Sequence, residues 1–110
     1  MIQDHLDKIE KRLKKSKTLK ESDRAELLAL LTTLRTEIAD LSQTNYEQAE
    51  SITGFAELSA REATRSEKNQ ELLNLSIEGL ASSVQGFETS HPRLAEIINT
   101  FCSMLSNLGI

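Results

Sequence analysis

Large apolar residues recur along this chain in alternating steps of three and four, the spacing that lines one face of an α-helix. A first stripe is Ile2, Leu6, Ile9 and Leu13, and a second is Leu27, Leu31, Leu34, Ile38 and Leu41, flanked by Leu28 and Leu30. A third runs Leu73, Ile77, Leu80, Val84 and Phe87. The last is Leu94, Ile98, Phe101, Leu105 and Leu108, widened by Ile97, Cys102 and Met104. No alternating run is long enough to make a strand, so the pattern predicts an all-α fold. The shared three-four alternation is the coiled-coil-like seam of helices that pack at shallow angles.

Local chemistry predicts where these helices begin and end. Ser22 is placed to accept a hydrogen bond from an early helical N–H, with Asp23 and Glu26 near the positive end of the helix dipole. A turn at Ser66–Asn69 leaves Asn69 to cap a helix starting at Gln70. Pro92 suits a first helical turn, after Ser90 or His91 as cap, and Gly109 suits a left-handed closure of the last helix.

The middle is the ambiguous part. From Gln43 to Gln70 the only large apolar residues are Tyr46, Ile52, Phe55 and Leu58. Stepping back from Leu73 nevertheless keeps the register through Gln70, Ser66, Ala63, Ser59, Ala56 and Ile52. That continuity predicts one long helix from Ser22 to about Arg65. The rival reading breaks it around Gln43–Asn45 and leaves a separate short helix or a partly mobile loop. The expectation is therefore one domain over 1–110, an antiparallel bundle of four helices near 2–15, 22–65, 70–87 and 92–108. Its segment 43–70 is an extended middle.

The long helix carries a consequence for assembly. At 1.5 Å per residue it is about 65 Å long, whereas a compact domain of this size has a radius of gyration of about 13 Å. An overhanging helix with small seam residues calls for a partner, and a second copy in a two-fold homodimer is the simplest. Ile52, Phe55, Ala56 and Ala63 are the expected dimer contact.

Composition narrows the function classes. Of 110 residues, 38% are hydrophobic and 27% charged, with one cysteine. No stretch approaches the roughly 20 apolar residues of a membrane span, and the first residues lack the apolar core of a secretory signal. A lone Cys102 cannot form an internal disulfide, which points to a reducing, cytoplasmic setting. The net charge of −4 is uneven: residues 8–20 hold seven bases against Glu10, and residues 36–60 hold five acids and no base.

Lys8, Lys11, Arg12, Lys14 and Lys15 are the candidate contact for an anionic partner, whether nucleic acid, an acidic membrane surface or an acidic protein. The plainer reading is a solvated helix, because Asp4, Asp7 and Glu10 precede Lys8, Lys11 and Lys14 by four residues. Nucleic acid fits least, since no aromatic residue precedes Tyr46.

Nothing marks a catalytic site. His5 and His91 lack partners at metal-ligand spacing, and no base stands beside Cys102. The glycines form no phosphate loop. The expectation is no catalytic residue, no cofactor and no metal. Two readings follow: a non-enzymatic oligomeric interaction or structural module, or a binder of an anionic partner through the first helix.

The tail is the most specific stretch. Phe87-Glu88-Thr89-Ser90-His91-Pro92-Arg93-Leu94, with a terminal Leu105-Ser106-Asn107-Leu108-Gly109-Ile110, resembles the C-terminus of a bacterial family of short proteins known only as a domain of unknown function. The leucine pairs Leu27-Leu28 and Leu30-Leu31 fit its second helix. The resemblance covers 71–110 well and 1–42 loosely, and says least about 43–70. It implies a small cytoplasmic helical protein and carries over no catalytic residue, cofactor or ligand.

Overall fold

The computed structural model describes residues 1–108 and is all-helical over them. Five helices form: α1 (Ile2–Lys15), α2 (Glu21–Ser42), α3 (Tyr46–Ala63), α4 (Gln70–Ser83) and α5 (Pro92–Leu108). None is long and apolar enough to cross a membrane. The first, second and last stripes fill the core: Leu6, Ile9, Leu13, Leu27, Ile38, Leu41, Leu94, Ile98 and Leu105 are fully enclosed. Gly109, expected to close the last helix, lies outside the described residues.

The expected four-helix bundle is corrected to five helices, because the helix predicted over 22–65 breaks at Gln43–Asn45. The break needs neither glycine nor proline. Ser42-Gln43-Thr44-Asn45 is a polar run whose side chains compete with the helix for its own carbonyls. Ser42 Oγ donates to Ala39 O at 2.8 Å and Thr44 Oγ1 to Leu41 O at 3.4 Å, while Asn45 N–H donates to Leu41 O at 2.8 Å. Size gives the second reason. The molecule measures 37 × 24 × 22 Å, so an unbroken helix of about 65 Å would leave its second half in water.

After the turn, α3 runs back through the middle and touches all four other helices. Among the described residues it is the only helix that does so. Its buried side chains are mostly small: Ala49, Thr53, Ala56, Ser59, Ala60 and Ala63, with Ile52 and Glu62 the larger ones. A helix enclosed on several sides needs small residues, since each one lets a neighbouring helix approach and the neighbours supply the bulk. The hydroxyl of Thr53 is satisfied by Ala49 O at 2.9 Å. Ser59 Oγ is buried without a partner.

Cross-contacts fix the directions. Arg35 reaches Asp7 while Arg24 reaches Leu13, so α1 and α2 are antiparallel. His5 meets Glu57, and Ser16 faces Thr64 across a groove, so α1 and α3 run together. Asp40 lies by His91 and Glu37 by Arg93, which pairs α2 antiparallel with α5.

Helix ends follow the sequence in two places and depart from it in two. Asn69 Oδ1 accepts from Leu72 N–H at 3.1 Å, and Pro92 opens α5. Ser22, however, sits inside α2, which starts at Glu21 after an extended Lys20 with no side-chain cap. The third helix was expected to reach 87 but stops at Ser83, because Gly86 at φ +94° turns the chain toward α5. Val84 still packs in the core.

Candidate functional site

The buried stripe of α1 divides the rest of its circumference into two edges of opposite character. Toward α2 lie Gln3, Asp7 and Glu10, gathered by one guanidinium. Arg35 Nη1 donates to Gln3 at 3.0 Å, and Nη2 donates to Asp7 at 2.8 Å and Glu10 at 3.0 Å. Lys14 Nζ donates to the other Glu10 oxygen at 2.8 Å. The hydrogen bond from Lys14, then that from Arg35, holds the Glu10 carboxyl below the usual carboxylate range. Asp4 turns to the Met1 amine at 3.6 Å. Of the three acid-to-lysine pairs anticipated along α1, only Glu10–Lys14 forms.

The other edge carries Lys8, Arg12 and Lys15, with Lys11 on the boundary, where it also borders the cleft of Asp7, Glu10 and Lys14. They line a groove of about 440 Å³ between α1 and α3, together with Ser16, Glu57 and Thr64. Among the described residues none of these four bases makes an ion pair. Lys14, the fifth basic candidate, points instead to the acidic edge. Glu57 is engaged by His5, whose Nδ1 lies 2.6 Å from its Oε1.

At the end of α3, Arg61 and, just past the helix, Arg65 flank the buried Glu62, with Arg65 Nη1 at 2.9 Å and Arg61 Nε at 3.8 Å. Arg12 also lines the small cleft above them. Neither Glu57 nor the α3 arginines stood out in the sequence, because nothing local ties them to α1.

Arg24 of α2 ties down the end of α1 and the turn that follows it. Its guanidinium donates to Leu13 O, to Ser16 O at 2.8 Å and to Leu19 O at 3.5 Å. These are carbonyls that the end of α1 and the following turn leave without helical partners.

A second surface lies on the α3–α4 hairpin. Leu72 and Leu75 are 46% and 56% exposed, and Gly79 continues the same face of α4. Phe55 of α3, 39% exposed, lies over Gly79. A Cβ there would meet Phe55 Cε1 at 2.5 Å and Cδ1 at 2.7 Å, so the ring rests on bare helix backbone.

The expected dimer residues separate on these facts. Ile52, Ala56 and Ala63 are enclosed by their own chain, at 0%, 0% and 1% exposure. The ordered middle therefore needs no second copy, and the overhang argument for a dimer loses its premise. Only Phe55 reaches the surface. Leu72 and Leu75 were legible as leucines off the Leu73–Ile77–Leu80 stripe, but nothing in the sequence set Phe55 over Gly79 on the same face of α4.

Fold and surfaces together define a small all-helical protein built round a small-residue central helix. The chain belongs to the family described as domain of unknown function DUF4404, which matches residues 29–110. That match includes 43–70, the stretch on which the resemblance was least informative, and begins inside α2. No curated protein and no solved structure matches the chain. The α3–α4 face thus lies within the family match, and the basic edge of α1 lies outside it.

Proposed function

We propose that this protein is a non-enzymatic interaction module that docks a second helical surface on the α3–α4 face, the simplest occupant being another copy of itself. The observation that carries this reading is the cluster of Phe55, Leu72 and Leu75 in water on one hairpin. Three large apolar side chains on adjacent turns are what a helix–helix contact buries at its centre. Phe55 adds a further reason. The glycine beneath it holds the ring flat on α4, so little side-chain freedom is left to lose when a partner covers it. A reducing, cytoplasmic setting suits a chain whose one cysteine is buried as a free thiol.

Light scattering across a micromolar concentration series tests the reading. The expected mass is about twice the 12.3 kDa of one chain, and Leu75→Glu should return it to one chain without lowering thermal stability. A wild type that stays at one chain mass at the highest concentration would sink self-association on this face.

A further inference from the structure

We propose that the groove between α1 and α3 binds a compact ligand bearing several phosphate groups, held by Lys8, Lys11, Arg12 and Lys15. Asp7 and Glu10 are drawn to Arg35 and Asp4 to the chain amine, which leaves the four bases without carboxylate partners among the described residues. The helix dipole accounts for bases in the last turn of α1, Arg12, Lys14 and Lys15. It does not account for Lys11 and Lys8, which stand about one and two turns before the end of the helix. Like charges gathered on one wall of a concavity repel one another, and a bound anion relieves that repulsion.

The form of the groove selects the ligand. From Lys8 to Lys15 the helix advances about 10 Å, so the four bases span the length of a short polyphosphate and not that of an extended polymer. Ser16 and Thr64 complete the lining, with the Thr64 hydroxyl already donating to Ala60 O at 2.7 Å and Ser16 Oγ engaged with Thr18. Arg12 brings a planar fork that matches two phosphate oxygens at once. Glu57, the one carboxylate in the lining, has an oxygen already held by His5 at 2.6 Å.

Charge argues for a compact anion over a long one. Four bases against Glu57 give the groove +3, which leaves −7 on the rest of a chain whose net charge is −4. A ligand confined within the groove feels the local +3, because fields fade over about 8 Å at physiological salt. A nucleic-acid strand running beyond it would leave this local charge: Arg61 and Arg65 beside Glu62 add only +1 next to Arg12, and the rest of the chain is net acidic. An acidic membrane surface fits no better. A membrane-lying helix inserts an apolar face, and Ile2, Leu6, Ile9 and Leu13 of α1 are all buried in the core.

Calorimetric titration of the full chain with inorganic tripolyphosphate tests the proposal, with backbone amide shifts as a second readout. Saturable one-to-one binding is expected, with shifts concentrated over residues 8–16. The double variant Arg12→Gln, Lys15→Gln should weaken it about tenfold or more, the loss of two charge-assisted contacts. Lys14→Gln, on the opposite edge, should leave it unchanged. All three side chains are exposed, so the variants keep the fold. Absence of saturable binding at millimolar tripolyphosphate would overturn the proposal. So would an equal loss in Lys14→Gln, or tighter binding of a long single-stranded oligonucleotide than of tripolyphosphate.

Discussion

Adding one methyl group at Gly79 puts two opposing effects at a single position. Gly79 is helical without a positive φ, so its backbone does not require glycine. Replacing glycine by alanine in a helix interior ordinarily gains about 1 kcal/mol. Here the new Cβ falls 2.5 Å from Phe55 Cε1, and the ring must leave the backbone it covers. Full burial of a phenylalanine side chain contributes up to about 3 kcal/mol. Phe55 is 39% exposed, so displacing it forfeits about 1.5–2 kcal/mol of that contribution. Gly79→Ala should therefore destabilise the wild type by about 0.5–1 kcal/mol, and in a Phe55→Ala background stabilise it by about 1 kcal/mol. Urea unfolding followed by far-ultraviolet circular dichroism gives both values, with an unchanged m-value as the check that one transition is compared. A gain of the same size in both backgrounds would refute the close approach, and with it the view of Phe55 as a fixed anchor.

Further outcomes follow from Arg24 and Cys102. Arg24→Met should cost about 2 kcal/mol in the same urea assay, because the carbonyls of Leu13, Ser16 and Leu19 lose a charged donor; a stability within error of wild type would show that another group caps α1. Burial pushes the Cys102 thiol up to about 11, so it should react with a soluble alkylating reagent far more slowly at pH 8 than the unfolded chain does. Its folded pKa lies above the unfolded value near 8.5, so the unfolded state loses its proton first and stability should fall with rising pH between about 9 and 11. Cys102→Ser should remove that part of the slope, and an identical alkaline profile in the variant would assign it to other groups.

How much of this protein the sequence determined depends on the range of the interaction concerned. Helix placement rests on neighbours three and four residues away, so the stripes of α1, α2 and α5 were legible, and so were the Asn69 cap and the Pro92 start. Membership of a family of unknown function was legible, and the match over residues 29–110 bears that out. The break at Gln43–Asn45 was visible only as a rival reading, because the apolar register persists across it and the deciding term is the room available in a 37 Å molecule. Tertiary structure alone decided that α3 is the centre of the fold. Its alanines and serines look like a poor seam when matched against one partner, yet they are the residues that let four helices meet. The surfaces were decided the same way. Which lysines stand free was set by Arg35 on α2 drawing the acids to one edge of α1, and the exposed apolar face exists because α3 sets Phe55 over a glycine of α4. Both are contacts between residues more than 20 positions apart, and a local pattern holds no record of them.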